Sequence, residues 1–224
     1  MFDGLNEETF AAYTQEKWAS NVHNLARMQV KSQLELLAGL VAEDIGGDLS
    51  VLERSASDEI PNITNQKKVD AQWLYWFRNA QERQELKSLL KENTLSSPSF
   101  FNIAAQDKHA IIAFVLRHDG LWMGLRLASA AMVDRKNLSA KLDKTWEREG
   151  FLTLLKNVSD HFEVGFGNEV VALSDMDAEH IEAMAGQLLA SKESWHIGQR
   201  LSKDDVIAMG ESLLNPLAEV FKQL

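Results

Sequence analysis

Residues 111–128 constrain the fold more than any other part of the sequence. They form two runs in which apolar residues alternate with other residues, and the pair Asp119-Gly120 lies between the runs. Such alternation is typical of a β-strand with one buried face, and Asp-Gly is a favoured pair for a type I′ hairpin turn. With these two residues in the turn, His118 pairs with Leu121. The sequence therefore predicts an antiparallel hairpin with a defined register.

The two sides of this first hairpin differ in composition. The side that includes His118 and Leu121 is otherwise apolar, so we expect it to face the core. The opposite side is neither a typical solvent-exposed surface nor a typical core surface. In the predicted register it pairs Arg117 with Trp122, Val115 with Gly124, and Ala113 with Arg126.

Residues 162–173 indicate a second hairpin, which turns at Gly167-Asn168. Its two faces also differ, because the strand alternation separates large apolar residues from a mixed set. The apolar face contains Phe162, Val164, Phe166, Val171 and Leu173, and the other face contains His161, Glu163, Gly165, Val170 and Ala172.

Further strands and connections follow from the same patterns. Residues 69–78 are rich in aromatic residues and are predicted to form a strand that places Trp73, Tyr75 and Phe77 on one face. A short strand is predicted around residues 195–201. We interpret residues 49–68 as an exposed connection, because a polar stretch with a proline follows a short apolar one.

Helical segments occupy most of the remaining sequence. An N-terminal helical segment covers about residues 7–45, and its apolar stripe is Val30, Leu34, Leu37, Val41 and Ile45. A helix that starts after residue 79 is predicted to end before Pro98. The predicted caps and breaks, in chain order, are Asn6, Asn79, Asp134, Ser174 or Asp175, Ser202 and Pro216.

Together these elements predict an α+β fold with a largely antiparallel sheet built from β-hairpins, and with helices packed on one face and at the ends. At 224 residues, the chain is predicted to form a single α+β domain over residues 1–224. Within it, the N-terminal helical segment precedes a hairpin-rich sheet with helices over about residues 49–224.

The amino-acid composition limits the kinds of molecule that the chain is expected to bind. The chain has 33 acidic and 23 basic residues and a net charge of −10, so we expect no nucleic-acid partner and no binding to anionic membranes. It contains no cysteine, which excludes disulfides and thiolate metal sites. The first ten residues carry three acids where a secretory signal carries positive charge. A cytoplasmic location is the resulting prediction.

Motifs for common chemistry are absent from the sequence. The glycines do not form a phosphate-binding or dinucleotide-binding loop, and no G-x-S-x-G motif is present. The six histidines are scattered, without an H-x-x-x-H pair. We therefore predict neither a cofactor nor a metal site, and leave catalytic residues unassigned.

The mixed faces of the two hairpins are the candidate site. If both faces lie on one sheet, Arg117, Trp122, Arg126, His161 and Glu163 border a surface where Gly124 and Gly165 leave space. An arginine clamp and a tryptophan stacking floor suit a small anionic or planar ligand. The competing interpretation is purely structural: Arg126 pairs with Glu163, Arg117 lies over Trp122, and helices cover the rest.

Two classes of function remain open. The first is a non-catalytic ligand-binding, protein-binding or regulatory module, which recognises a small anionic ligand or a protein partner through this surface. The alternative is an enzyme of unidentified class, a hydrolase or a transferase, whose site is assembled only in the fold. In that case His161 and Glu163 are the first candidates for acid-base work, because they share a strand face.

Overall fold

The computed structural model describes residues 2–46, 49, 51–63, 65–89 and 105–224. Over these ranges the strands form one antiparallel sheet in the order β1-β2-β3-β4-β7-β5-β6. The strands are β1 Leu52–Ala56, β2 Gln72–Arg78, β3 Ala110–Arg117, β4 Gly120–Leu127, β5 Glu163–Phe166, β6 Glu169–Ala172 and β7 Trp195–Ser202. The predicted α+β class and the antiparallel, hairpin-built sheet are confirmed.

The helices lie between the hairpins and at both ends of the chain. They are α1 Glu7–Ala11, α2 Asn24–Ile45, α3 Ala80–Leu89, α4 Ala105–Lys108, α5 Met132–Leu142, α6 Thr145–Lys156, α7 Ala178–Gln187, α8 Lys203–Met209 and α9 Leu214–Gln223. Short 3-10 turns occur at Gln15–Lys17, Asn21–His23, Leu173–Asp175 and Gly210–Leu213. Within these described ranges, no helix is long and apolar enough to cross a membrane.

One face of the sheet, called here the first face, carries the main core. Helices α2 and α9 pack against it, and Trp76, Phe114 and Phe221 meet edge to face with ring centroids 4.9–5.3 Å apart. Such contacts add to the free energy gained from burying the rings. The predicted stripe of α2 is also confirmed, since Val30, Leu34, Leu37 and Val41 are buried and Ile45 packs beside them.

The N-terminal segment is helical but is not one helix. Asn6 caps the five-residue α1 in a capping box with Thr9. Thr14 and Ser20 then adopt extended backbone before each 3-10 turn, so a long helix begins only at Asn24. The buried Arg27 of α2 donates to the carbonyls of Lys17 and Ser20 and thereby holds this irregular segment against the helix.

The first hairpin differs from its predicted register by two residues. The turn consists of His118 and Asp119, and Arg117 pairs with Gly120 rather than with Trp122. The strand residues on each face are unchanged, because a shift of two residues preserves the alternation. His118 is the exception: it was predicted on the core face, but it lies in the turn and is exposed. The predicted register is wrong because Gly120 begins β4 instead of lying in the turn. A glycine fits there because a Cβ would overlap the carbonyl oxygen of Leu201 in the adjacent β7.

The second hairpin matches its prediction. Phe166 pairs with Glu169 across the turn Gly167-Asn168, and Gly167 has a φ of +57° that favours glycine. The predicted connection over residues 49–68 was partly wrong, since β1 lies within it. Its sequence, LERSA, lacks alternating apolar residues because β1 is a half-exposed edge strand.

The predicted helix starts had mixed outcomes. Asn79 and Ser202 cap α3 and α8 as expected, while the predicted helix end before Pro98 lies outside the described residues. Asp134 does not cap a helix. It is buried within α5, and its Oδ1 accepts a hydrogen bond from Nη1 of Arg78 in β2 at 2.7 Å. The predicted cap at Ser174 or Asp175 is wrong, because Asp177 caps α7. The C-terminal helical region is divided by the 3-10 turn before α9 rather than at Pro216, which lies in the first turn of α9.

The close approach at Gly120 makes a testable prediction. Gly120→Ala should lower the free energy of unfolding by about 1–3 kcal/mol, because the methyl group has to displace the β7 backbone. Gly150→Ala is the matched control, since Gly150 lies in α6 with nothing within 4 Å of its added Cβ. That control should stabilise the protein by about 0.5–1 kcal/mol. Urea denaturation measures both, and equal stabilities for the two variants would contradict the packing described here.

Candidate functional site

A cavity of about 400 Å³ opens on the second face of the sheet, opposite the main core. Strands β2, β3, β4 and β7 form its base, and the β3–β4 and β5–β6 turns and the segment before β7 form its rim. The lining residues are Trp73, Val115, Arg117, Asp119, Trp122, Arg126, Gly167, Asn168, Glu193, Ser194, His196 and Arg200.

The base of this cavity depends on two glycines that face each other across β4 and β7. Gly124 pairs with Gly198, and a Cβ on either would lie 2.8 Å from the Cζ2 atom of Trp122. The indole of Trp122 therefore lies over the backbone of both strands, with 7% of the residue exposed. Gly124 leaves space, as the sequence predicts, but Trp122 fills that space.

The imidazole ring of His196 packs against the indole ring of Trp122. The two rings are perpendicular, with centroids 5.7 Å apart. The Nε1 atom of Trp122 is buried and has no hydrogen-bond partner among the described residues. Because an unpaired buried donor is costly, the indole must be held here by packing rather than by hydrogen bonding.

Arg126 is fixed on three sides. Its guanidinium lies 4.8 Å from the centroid of the Trp73 ring, in cation–π geometry. Its Nη1 donates to Asp107 Oδ1 at 2.7 Å, and its Nη2 donates to Ser194 Oγ at 2.8 Å. The side chain therefore links α4, β4 and the segment before β7, and forms a rigid wall of the cavity.

The other two cavity arginines have weaker restraints. Arg117 on β3 donates to Asp70 Oδ2 at 2.7 Å, with both side chains partly exposed. Arg200 on β7 lies 4.0 Å from Asp119 Oδ2, beyond hydrogen-bond distance, and its side chain is half exposed. The three arginines thus differ in how much of their hydrogen-bonding capacity is used by the residues that the structure describes.

Arg135 positions the segment before β7, which forms part of the cavity rim. This fully buried residue of α5 donates to the carbonyls of Leu188, Ser191 and Glu193. A guanidinium that binds several carbonyl groups fixes the path of an irregular segment. The position of Ser194 beside Arg126 therefore depends on a residue that does not itself line the cavity.

Burial lowers the pKa of His196 below its ordinary value. A hydrogen bond to the backbone of Ser194 opposes this shift, while the charges of Arg200 and Arg126 add to it. At neutral pH the ring is consequently uncharged, and one of its nitrogens retains a lone pair. His196 is the histidine that the structure brings into the cavity.

The structure brings together three of the five predicted site residues. Arg117, Trp122 and Arg126 line the cavity, whereas His161 and Glu163 do not. The reason is that β7 lies between β4 and β5, so the two hairpins are not neighbours. From the second hairpin only the turn residues Gly167 and Asn168 reach the cavity.

The pairings of the structural interpretation are also wrong. Arg126 pairs with Asp107 instead of Glu163, which lies across from Gly198 on β7. Arg117 pairs with Asp70. The predicted space at Gly165 does not exist, because a Cβ there would overlap the backbone of Glu169 in β6.

Sequence reasoning missed several cavity residues, although some left a signal. His196, Gly198 and Arg200 alternate along β7 and therefore share the second face. Trp73 was assigned to the correct strand face but not to the site. Glu193 and Ser194 precede β7 in an irregular segment whose position follows from Arg135, and no local pattern indicates it.

Comparison with known proteins provides no assignment. No family model matches the chain, and a search of curated proteins finds no match to it. In the part of the chain that the structure describes, no three His, Asp or Glu side chains lie close enough together to hold a metal ion. The cavity geometry is therefore the basis for the proposal that follows.

The half-buried His196 predicts a pH dependence. Because its pKa is lower in the folded than in the unfolded state, the unfolded chain binds more protons as the pH falls below about 6.5. Stability is therefore lost on the acid side of that value. His196→Gln should reduce this loss but not abolish it, since burial also lowers the pKa of His109. Urea denaturation at about pH 7.5 and about pH 5.5 measures the difference. An unchanged pH dependence in the variant would contradict the proposed environment of His196.

Proposed function

We propose that this chain is a non-catalytic binding module that holds a small ligand in the second-face cavity. The observation that supports this proposal is a concave site of about 400 Å³ whose walls are polar and whose base is a packed sheet. Ligand pockets commonly have volumes of roughly 300–1,000 Å³ and largely preformed walls. A rigid base with Arg126 already fixed limits the conformational entropy lost on binding.

A small ligand fits this surface better than a protein partner does. Protein interfaces are usually broad and have an apolar centre with aromatic anchors. Here the aromatic rings of the site are turned inward: Trp122 lies on the glycine pair, and Trp73 is covered by Arg126. The groups left to contact a partner are polar and surround a depression.

The composition of the chain is consistent with this proposal. A net charge of −10 opposes binding to nucleic acid, so the cluster of arginines is suited to small molecules rather than to a phosphate backbone. The lack of cysteine fits the cytoplasmic location proposed for the chain.

Catalysis is the second candidate, and one observation favours it. His196 is uncharged at neutral pH and lines the cavity, as a general base requires. The acid-base pair predicted from the sequence, His161 and Glu163, does not line the cavity. If the chain is an enzyme, we therefore expect His196 rather than His161 to carry the proton transfer.

Blocking the cavity tests the binding proposal. Asn168 is an exposed turn residue on the rim, so Asn168→Trp should fill the mouth without disturbing the sheet. We expect a panel of small metabolites to include compounds that shift the indole N–H signals of Trp73 and Trp122 in NMR spectra. The variant should weaken binding of those compounds at least about tenfold, because the added ring occupies their space.

Lys192→Trp is the control for this experiment, since Lys192 is exposed and does not line the cavity. It should leave binding unchanged. Equal affinities in wild type and Asn168→Trp would exclude the cavity as the binding site. Consumption of a bound compound by the wild type, abolished in His196→Gln, would replace the binding proposal with the catalytic one.

A further inference from the structure

The three cavity arginines are not equivalent as partners for a ligand. Arg117 and Arg126 each make a 2.7 Å hydrogen bond to a carboxylate of the chain, and Arg126 also binds Ser194. Charge-assisted bonds of this length pair each guanidinium closely with an opposite charge. These two arginines therefore shape the cavity, and their charges are already balanced.

Arg200 is different. Its closest carboxylate oxygen, on Asp119, is 4.0 Å away, and the two side chains are 50% and 52% exposed. Within the described ranges, its guanidinium makes no hydrogen bond as short as those of the other two arginines. A guanidinium has five N–H donors in a planar fork. Arg200 thus retains the geometry for a bidentate interaction with an oxyanion.

Arg200 is placed so that its N–H donors can interact with a ligand in the cavity. Arg200 is the cross-strand partner of Trp122, on the same sheet face, and both residues line the cavity. Its charge also reaches His196, where it acts together with that of Arg126. Because His196 is uncharged at neutral pH, Arg200 is the cationic group of this region that no close carboxylate balances among the described residues, and Asp119 and Glu193 are the carboxylates that line the cavity.

Asp119 is held near this region by the backbone. Its carbonyl oxygen accepts a hydrogen bond from the N–H of Lys203 at 3.0 Å, which ties the β3–β4 turn to the end of β7. The Asp119 carboxylate consequently stays beside Arg200 as a loose counter-ion. A loose, exposed ion pair contributes little stability, so it is displaced at low cost.

We propose that the ligand is a small organic oxyanion, and that its carboxylate or phosphate group binds Arg200 in place of Asp119. This inference rests on the proposed function, and it adds the chemical class of the ligand and the residue that recognises it. Arg200 is the determinant of specificity for the anion, while Arg117 and Arg126 act as structural walls. Asp119 competes with the ligand for the same guanidinium.

The test uses three small probes: benzoate, inorganic phosphate and the neutral benzamide. Benzoate and benzamide have nearly the same shape, so their difference reports charge. NMR titration follows the Arg200 Nε–H signal together with the indole N–H signals of Trp73 and Trp122. We expect at least one of the two anions to shift these signals with a Kd of about 10 mM or tighter, and benzamide to bind at least tenfold more weakly.

Variants assign the effect to single side chains. Arg200→Gln should weaken binding of the anion at least tenfold, and Arg200→Lys should give an intermediate value because it keeps the charge but loses the fork. Asp119→Asn should tighten binding about two- to fivefold, since the competing carboxylate is gone. Arg148→Gln is the control: it removes an equal charge from a similarly loose ion pair on α6, away from the cavity.

The outcomes separate this inference from the proposed function. Equal binding of benzoate and benzamide, or anion binding that Arg200→Gln leaves unchanged, overturns the anion assignment while the cavity remains a binding site. Failure of both anions to shift the three signals also overturns it. The proposed function fails instead if Asn168→Trp leaves the binding of every compound intact, or if the wild type consumes a bound compound and His196→Gln does not.

Discussion

Burial of the first face of the sheet is the interaction on which the rest of the structure depends. Helices α2 and α9 cover this face, and the aromatic contacts of Trp76, Phe114 and Phe221 lie at the centre of the core. Because the larger cluster of buried apolar residues lies there, the second face needs only a smaller cluster, which includes Tyr75, Ile111 and Val115, and its remaining surface can carry charge. An open, polar cavity on one side of the sheet is therefore compatible with a stable fold.

Local patterns predicted the strands but not their order. The alternation in β3, β4, β5 and β6 fixed which residues share a face, and this remained correct when the first register shifted by two. The edge strand β1 lacked such a pattern. The insertion of β7 between the hairpins is a long-range pairing, which no local periodicity encodes. For that reason Arg117, Trp122 and Arg126 were predicted together, whereas His196 and Arg200 were missed.

The cavity shows how a chain with a net negative charge presents arginines. Two of the three are neutralised by nearby aspartates, Asp70 and Asp107, at hydrogen-bond distance. Such pairs contribute modestly to stability when partly exposed, but they fix the direction of long side chains. The positive charge that no close carboxylate balances is thereby restricted to one of the three, Arg200. Under the proposed function, this lets the cavity discriminate between ligands by where their charge lies.

The central place of β7 also has a consequence for how the chain acquires its structure during synthesis. Strands β4 and β5 are neighbours of β7 but not of each other, so residues 195–202 join the two halves of the sheet. These residues are synthesised after the other six strands of the sheet. Until then the facing edges of β4 and β5 expose unpaired backbone groups, which can pair with other chains. The sheet is therefore complete only once β7, the last of the seven strands in chain order, pairs with both β4 and β5.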